Sequence, residues 1–530
     1  MPTDCINYQN SGYFSKLIID YLDQKPELQS LYHRFPVIGN FLPQIEEKKN
    51  NFPVENRAIL AESLLQQNKK IALSESSLHN IELLKKTNTF TITTGHQLNL
   101  FTGPLYFIYK IVSAINLSRQ LKAKHPDYNF VPVYWMATED HDFEEINHFT
   151  FRNTKIKWNT ASSGPVGRLS TRGLDEVYKK FEKELGLGNN ADYLKELFKK
   201  AYLEHATLAE ATRFLANELF KEEGLVIADG DDTNLKKLFA PFVKKELLEQ
   251  TSFQNVSETN KTLVDYDIQV NPREINLFYI EDKLRERILF EKGKYTINNT
   301  KIEFSESEII AELEKYPEKF SPNVILRPLY QEVILPNLCY IGGGGEIAYW
   351  LQLKSNFESN NITFPILLVR NSVLIASEKQ VQKIDKLELS WGDLFTKQEN
   401  LLTKKTRELS SLTIDFSAQK EFLKQQFITL NDIAKRTDLS FTGAVQAQEA
   451  KQIKGLENLE KRLLKAEKRI LSDQLERISL IQNELFPNQG LQERKQNFSE
   501  FYCNFGNEFI KSLYTQLNPL SDKFSTITLK

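Results

Sequence analysis

The stretch FTITTGHQLNLFTGPLYFIYK, from Phe90 to Lys110, decides the fold. It opens on a β-branched run, turns through Gly95 and a loop, and enters an apolar pattern of helical period at Pro104. A strand, a glycine-containing loop and a helix in this order are typical of α/β proteins, which bind ligands at the carboxyl ends of parallel strands. Proline costs little in a first helical turn, and Gly103 before it lets a ligand approach the backbone closely. We therefore predict an α/β fold whose parallel-sheet core is organised around this turn.

Other segments repeat the pattern of a short apolar run that ends in polar residues. The first is FVPVYWMA, at 130–137, which leads into TEDHDFEEINH. Two further short apolar runs are GLVIAD at 224–229 and the run at 364–369. Unbroken apolarity indicates strands buried on both faces, as in a parallel sheet. The segment 265–304 alternates instead, which predicts an antiparallel insertion.

The 530 residues are too many for one core and predict several regions. We expect a helical layer at 1–88, a core at 89–380 with insertions near 149–220 and 250–320, a helical domain at 381–486, and a tail at 487–530 that packs on the core. Leucines and isoleucines in the third region step by three and four on both sides of Thr437–Gly443. This pattern predicts an antiparallel helical hairpin with coiled-coil character. The hairpin either packs on its own body or forms a dimerisation arm.

Composition excludes several classes of protein. A hydrophobic fraction of 41% and a charged fraction of 26% are those of a soluble globular chain. The net charge of -2 argues against a dedicated nucleic-acid binder, and no apolar run reaches the roughly 20 residues of a membrane span. Three isolated cysteines fit a reducing compartment, and the N-terminal sequence has no signal-peptide pattern. We expect a cytoplasmic protein that binds neither nucleic acid nor membrane.

The first candidate motif is GHQLNLFTGPLY, at 95–106. His96 and Gln97 leave the predicted strand, and Thr102 and Gly103 precede the predicted helix, whose amino end attracts anions. The motif lacks both the P-loop pattern and the dinucleotide fingerprint. It is either a binding site for a phosphate or carboxylate or an ordinary strand-to-helix connection.

The second candidate motif is EDHDFEEINH, at 139–148. If this segment is helical, His141, Glu145 and His148 share one face. Such a face could bind a divalent metal, or supply a general base and acceptors for a substrate amine or sugar. The alternative is a solvated helix start, where acidic residues are favoured. We predict a functional role without a metal.

The third candidate motif surrounds the four glycines at 342–345. A loop of four glycines carries a large entropic cost, and it could form a nest for an anion. A flexible hairpin turn is the other interpretation. We predict that the flanking polar and aromatic residues face the same crevice; they are Arg327, Tyr330, Gln331, Glu346, Tyr349 and Trp350.

In their order along the chain, these motifs resemble the cysteine ligases of bacillithiol biosynthesis. The segments concerned are TGHQLNLFTGPLYFIYK (94–110), VPVYWMATEDHDFEEINH (131–148), SPNVILRPLYQEVILPNLCYIGGGGEIAYWLQLK (321–354) and LQER (491–494). The resemblance implies a Rossmann-like core related to class I aminoacyl-tRNA synthetases, with connecting insertions, and a coiled-coil domain that forms a homodimer. It also implies a reaction that joins the carboxyl of cysteine to the amine of glucosaminyl-malate, giving bacillithiol.

The resemblance also implies roles for individual residues. Asp140, His141, Asp142 and Glu145 would bind or deprotonate the amine, and Arg494 would contact a nucleotide away from the main crevice. The expected substrate-binding residues are His96, Gln97, Thr102, Gly103, Tyr106, Arg327, Tyr330, Gln331, Gly343, Gly344, Glu346, Tyr349 and Trp350.

ATP is the simplest activating cosubstrate, but the chain departs from the synthetase pattern. The HIGH tetrad is replaced by Thr102-Gly103-Pro104-Leu105, and no KMSKS loop is present. Another acyl donor therefore stays open, as do two other functions. One is a metal-dependent hydrolase of an amino sugar or amide, and the other is a non-enzymatic coiled-coil scaffold.

Overall fold

The computed structural model describes residues 4–530, so the first three residues of the predicted 1–88 layer lie outside it. The described chain forms two compact units. One comprises residues 4–9, 13–375 and 491–530, and the other comprises 10–12 and 376–490. We call them the core unit and the helical unit. No helix within residues 4–530 combines the length and apolar character needed to cross a bilayer.

The region before the parallel sheet is mostly helical, but it starts with a strand that pairs with the last strand of the described chain. Prolines at 26, 36 and 53 lie at the boundaries of its short helices, and Pro43 lies in the first turn of α3. Its elements are β1 (Asp4–Asn7), α1 (Tyr8–Ser11), α2 (Lys16–Leu22), α3 (Phe41–Asn51), α4 (Val54–Gln67) and α5 (Glu75–Leu83), with 3₁₀ turns at Pro26–Leu31 and Ile38–Asn40.

The next region alternates strands and helices and contains two insertions. Its elements are β2 (Thr89–His96), a 3₁₀ turn (Leu100–Thr102), α6 (Tyr106–Lys124), β3 (Asn129–Met136), α7 (Phe143–Ile146), β4 (His148–Phe151), β5 (Thr154–Lys157), a 3₁₀ turn (Val166–Arg168), α8 (Leu174–Leu185), α9 (Asn189–Leu203), α10 (Leu208–Phe220), a 3₁₀ turn (Lys221–Glu223), β6 (Val226–Asp229), α11 (Thr233–Glu249), α12 (Thr251–Thr262), β7 (Leu277–Glu281), β8 (Leu284–Glu291), β9 (Lys294–Ile297), β10 (Glu303–Phe304), α13 (Glu306–Lys315), a 3₁₀ turn (Pro317–Lys319), β11 (Phe320–Pro322), α14 (Leu326–Ile334), β12 (Asn337–Gly342), α15 (Gly344–Trp350), α16 (Lys354–Ser359), β13 (Ile366–Val369) and β14 (Val373–Ser377).

Five of these strands form a parallel sheet in the order β13-β12-β2-β3-β6. The first strand in sequence, β2, is central; later strands add on one side and then on the other, as in doubly wound folds. Every residue of β2 is buried, which explains its continuous β-branched and apolar sequence. The predicted Rossmann-like parallel core is confirmed.

A second sheet, in the order β10-β9-β8-β7-β11, is antiparallel and comes from the second insertion. Its strand β8 carries three consecutive charged residues, Arg285 to Arg287, before the buried Ile288. A β4–β5 hairpin and helices α8 to α10 make up the first insertion.

The helical unit contains two long helices joined by a short turn, and the predicted coiled-coil character is confirmed. α20 packs against α21 around Phe427, Ala434 and Val445. The break is shorter than predicted, because the Asp438 side chain accepts a hydrogen bond from the Phe441 amide and starts α21 at Leu439. Its helices are α17 (Glu378–Lys386), α18 (Trp391–Leu394), α19 (Gln398–Leu409), α20 (Ser417–Ala434), α21 (Leu439–Ile470) and α22 (Ser472–Leu485), with a 3₁₀ turn at Pro487–Gln489.

The C-terminal segment returns to the core unit. Its last strand pairs antiparallel with β1 at the other end of the chain, in register Asp4 to Thr526. Its elements are α23 (Gln492–Lys495), α24 (Phe498–Phe505), α25 (Asn507–Gln516) and β15 (Lys523–Leu529).

Candidate active site

A cavity of about 730 Å³ opens in the core unit at the carboxyl ends of β2, β3 and β12. The strand order reverses between β2 and β12, and open α/β sheets bind ligands at such a point. The antiparallel sheet supplies another wall through β7 and β8. The predicted site residues that line the cavity are His96, Gln97, Tyr106, Asp140, His141, Arg327, Glu346 and Tyr349. All three sequence motifs therefore contribute residues to one cavity.

His96 ends strand β2 and is only 8% exposed. Its Nε2 is buried without a hydrogen-bond partner. Burial lowers the pKa of His96 well below its usual range, and the nearby positive charge of Lys110 lowers it further. The imidazole is therefore neutral at physiological pH.

Gln97 holds two carboxylates of the second motif together. Its Nε2 donates to Oδ2 of Asp140 at 2.8 Å and to Oε2 of Glu145 at 2.9 Å. Asp140 also accepts hydrogen bonds from the backbone amides of His141 and Asp142. These contacts hold the Asp140 carboxylate in one orientation at the cavity wall, and Glu145 lies behind it, outside the lining.

Thr102 and Gly103 do not line the cavity, although both were predicted to bind substrate. Together with Phe101 they form a tight turn of positive φ, with values of 48, 69 and 62° along the chain. The backbone amide of Leu105 donates to the carbonyl of Gln496. We expected the amides at this helix start to face an anion, but the Leu105 amide is bonded to the C-terminal segment instead.

The second motif is not one continuous helix. Only Phe143–Ile146 is helical, and His148 already belongs to strand β4. The predicted alignment of His141, Glu145 and His148 on one helical face is therefore wrong. Asp142 is the N-cap of this short helix and accepts from the Glu145 amide, so the helix begins at Phe143 and His141 lies outside it.

His141 contacts a residue that no motif included. Nη1 of Arg285, on strand β8, lies 2.7 Å from Nδ1 of His141. The Arg285 guanidinium stacks over the ring of Phe278 at 3.9 Å, which fixes its plane. The antiparallel sheet thus contacts the second motif directly.

The four glycines do not form a loop, contrary to our prediction. Gly342 ends β12, Gly343 is the N-cap, and Gly344 and Gly345 lie inside α15. None of them has a positive φ. A Cβ on Gly342 would lie 2.9 Å from Cβ of Glu346, so close packing requires glycine at this position.

Glu346 is the centre of a charged network at the cavity floor. It forms an ion pair with Lys110, accepts from the Tyr340 hydroxyl at 2.7 Å, and accepts from the Gly343 amide at 3.1 Å. Burial acts to raise the pKa of Glu346, but Lys110 outweighs it and the pKa is lowered. Glu346 is therefore ionised, and its negative charge balances much of the positive charge of Lys110.

Arg327 lies over the ring of Tyr340, beside this network, and donates to the Tyr349 hydroxyl at 3.0 Å and to Oε1 of Gln331 at 3.1 Å. Gln331 is fully buried and does not reach the cavity. Two other predicted residues are also behind the lining. Tyr330 packs its ring edge against Trp135, and Trp350 stacks on Tyr340 with ring centroids 4.4 Å apart.

Arg494, the predicted nucleotide contact, is exposed on α23 and does not line the cavity. Its neighbour Glu493 is buried and forms a bidentate ion pair with Arg370, at 2.7 and 3.0 Å. This pair joins the end of the parallel sheet to the C-terminal segment.

Sequence reasoning missed several cavity residues. Lys110 carried a recognisable signal, because it is a single lysine within the apolar run YFIYKIVSAINL. Glu139 lies within the second motif and forms a buried ion pair with Lys236, and burial raises its pKa. Arg273, Arg285 and Arg287 come from the antiparallel insertion, and no local pattern placed them beside the motifs.

The described residues 4–530 contain no cluster of three or more histidine, cysteine, aspartate or glutamate side chains placed to hold a metal ion. The two histidines on which the metal interpretation depended are separated: His141 contacts Arg285, and His148 pairs with Asn147.

Comparison with known protein families gives two matches that together cover nearly the whole chain. Residues 1–371 match the family model described as bacillithiol biosynthesis BshC, N-terminal Rossmann-like domain. Residues 373–529 match the model described as bacillithiol biosynthesis BshC, C-terminal coiled-coil domain.

Two curated relatives align with this chain over nearly the whole length of both sequences. A protein of Flavobacterium johnsoniae named "Putative cysteine ligase BshC" is 63% identical over 529 residues, covering 100% of both chains. A protein of Bacillus cytotoxicus with the same name is 27% identical over 520 residues, covering 94% of this chain and 95% of that one. A solved structure titled as a putative arginyl-tRNA synthetase from Campylobacter jejuni shares 13% identity, with a TM-score of 0.21 over 87% of this chain and 95% of that one.

Proposed function

The chain belongs to the BshC family of bacillithiol biosynthesis and is a ligase, and from this premise we propose that it joins L-cysteine to glucosaminyl-malate. The new amide bond links the cysteine carboxyl carbon to the glucosamine nitrogen, and the product is bacillithiol. The observation that carries this proposal is the single cavity on which all three motifs converge. Its volume of about 730 Å³ lies in the range of small-molecule sites.

We propose Asp140 as the group that binds the substrate amine and accepts its proton. An amine attacks an acyl carbon only after it has lost a proton, and a carboxylate held in place is a suitable acceptor. Gln97 and two backbone amides orient Asp140 without neutralising it. Glu145 supports the same arrangement through Gln97, and Asp142 acts on the local backbone.

We propose that the cysteine carboxyl is activated before the amide forms, with ATP as the candidate cosubstrate. A free carboxylate is a poor acyl donor, and placing an activated carbonyl next to the amine removes a large entropic barrier. Arg327 supplies positive charge at the cavity lining, where the donor carboxyl or a phosphate would be stabilised, and Lys110 beside it is largely balanced by Glu346.

The test is a reaction of the purified chain with cysteine and glucosaminyl-malate, with and without ATP, followed by mass spectrometry. We expect bacillithiol with wild-type protein and at least a hundredfold less with Asp140→Asn. Glu144→Gln is the matched control, because Glu144 is in the same segment but 75% exposed and outside the cavity. The proposal fails if wild-type protein forms no thiol product under any condition, or if the two variants lose activity equally.

Phosphorus NMR of the same reactions identifies the activation step. AMP and pyrophosphate indicate an acyl-adenylate, whereas ADP and phosphate indicate an acyl-phosphate. Amide formation without any change in ATP removes ATP from the proposal and leaves another acyl donor.

We also propose that the protein is a homodimer that associates through its helical unit. Helices α20 and α21 expose several large apolar side chains, and exposed apolar patches of this kind mark association surfaces. They include Phe422 (68%), Ile428 (52%), Ile433 (52%) and Leu439 (92%). A second copy of the same unit would cover them.

We propose a cytoplasmic location. Cys5, Cys339 and Cys503 are all free thiols in the part of the chain that the structure describes. Unpaired cysteines are usual in reducing compartments. Fractionation of cells that express the natural protein tests this location, and recovery outside the cytoplasmic fraction would contradict it.

A further inference from the structure

Four arginines line the cavity: Arg273, Arg285, Arg287 and Arg327. Within residues 4–530, none of them lies at ion-pair distance from a carboxylate. Together with Lys110 they face only three lining carboxylates, and one of these, Glu346, is already paired with Lys110. The lining therefore contains five cationic side chains against three acidic ones, an excess of positive charge, although Glu139 and Asp140 act electrostatically on Arg285 and Glu346 acts on Arg327.

Two of these arginines form a regular pair. Arg285 and Arg287 are separated by one residue on strand β8, so their side chains leave the same face of the strand. The distance between such positions is about 6.5 to 7 Å along the strand. Phe278, on the neighbouring strand, is opposite Arg287 in register and stacks under Arg285.

One hydrogen-bond donor of Arg285 has no partner in the described chain. Its Nε is buried without a hydrogen-bond partner, while its two terminal nitrogens contact Nδ1 of His141 and the carbonyl of Pro322. A buried donor without a partner is unfavourable unless a ligand satisfies it. Two guanidiniums on one strand face are suited to two carboxylates, because each can bind one in bidentate fashion.

From these observations we infer that Arg285 and Arg287, assisted by Arg273, form a subsite for a dicarboxylate. On the proposed function, on which this inference rests, that group is the malyl part of the acceptor substrate. In a glucosaminyl-malate the malyl group is attached at the sugar carbon next to the one that carries the amine. The structure has the same adjacency, because Arg285 contacts His141 and His141 follows Asp140, the proposed amine partner.

A triphosphate is the other anion that such a cavity could take. The β8 arginines are on the insertion beside the amine-binding segment, whereas Lys110 and Arg327 are beside β2 and β12. The dicarboxylate is therefore assigned to the β8 side. Direct binding measurements distinguish the two anions.

The first test is calorimetric titration of the full chain with L-malate, succinate, acetate and ATP, each alone. We expect malate and succinate to bind, and acetate to bind much more weakly. Arg287→Gln should raise the dissociation constant for malate about tenfold, the loss expected for one charge-assisted hydrogen-bonded contact. Lys283→Gln is the matched control, because it removes one positive charge from the exposed β7–β8 turn outside the cavity and should leave malate binding unchanged.

The second test is steady-state kinetics of the same variants. Arg287→Gln should raise KM for glucosaminyl-malate and leave KM for cysteine unchanged. The inference is overturned if wild-type protein binds no dicarboxylate, if both variants bind malate like wild type, or if Arg287→Gln weakens ATP alone. If malate binding depends on Arg287 but no bacillithiol forms, the subsite stands and the proposed reaction fails.

Discussion

The side chain of Asn497 donates a hydrogen bond of 2.6 Å to the carbonyl of Gly103, 394 residues earlier in the chain. The same Nδ2 donates to the carbonyl of Phe101 at 2.7 Å, and Asn497 is completely buried. The C-terminal segment thus stabilises a turn of unfavourable backbone conformation directly before α6. Such turns persist only when surrounding contacts hold them in place.

Replacing this side chain should therefore destabilise the core unit. We expect Asn497→Ala to lower the free energy of unfolding by about 2–3 kcal/mol, because two buried carbonyls lose their donor. Urea unfolding followed by tryptophan fluorescence measures the change. Asn504→Ala, at an exposed position of α24, is the control and should be neutral. Equal stability of the two variants would show that the turn does not depend on Asn497.

The parallel sheet was predictable because its signals are local. The β-branched run at β2 and the apolar run at β3 each specify a buried strand without reference to the rest of the chain. The polar residues that follow these strands were then expected at one edge, and His96, Gln97 and Asp140 do line one cavity.

The errors arose where distant contacts or packing decide the local structure. Four consecutive glycines favour a loop on conformational entropy, but close packing of Gly342 against Glu346 and a capping bond to Gly343 favour a strand followed directly by a helix. Likewise, Arg285 and Arg287 look like the exposed face of an insertion, and only the position of that insertion beside β3 brings them into the cavity.

The contact between Arg285 and His141 predicts one tautomer of the histidine. A guanidinium can only donate, so Nδ1 of His141 accepts and the ring proton is on Nε2. We expect ¹⁵N spectra of histidine-labelled protein to show an unprotonated Nδ1 for His141, assigned by its loss in His141→Asn. In Arg285→Leu the ring should lose this preference, and a mixture of tautomers should appear. A protonated Nδ1 in wild-type protein would contradict the predicted hydrogen bond.

Glu500 predicts a pH dependence of stability. Burial raises its pKa from 4.5 to about 7, and Gln496 is its side-chain donor. Because the folded state holds this proton more tightly, the stabilising effect is complete below about pH 4.5 and is lost as the pH rises through 7. Glu500→Gln should therefore raise the free energy of unfolding by roughly 2 kcal/mol at pH 8 and hardly change it at pH 4.5.

Thermal denaturation at several pH values checks this prediction. Glu508→Gln is the control, since Glu508 is exposed on the next helix and its replacement should give parallel curves. A stabilisation by Glu500→Gln that is the same at both pH values would mean that its titration is not the cause.

The proposed dimer predicts a specific effect of charge on α20. Phe422 and Ile433 are eleven residues apart, which places them on one face of the helix, and both are exposed. Introducing glutamate at both positions would bury two charges in an apolar interface, so Phe422→Glu/Ile433→Glu should be monomeric with an unchanged circular dichroism spectrum. Lys424→Glu/Lys435→Glu places two glutamates at the same spacing, one on the opposite, polar side of α20 and one at the exposed residue directly after its end, and should remain dimeric. Sedimentation equilibrium gives the mass of each variant. A monomeric wild-type protein, or a double Phe422/Ile433 variant of unchanged mass, would exclude this face as the dimer interface.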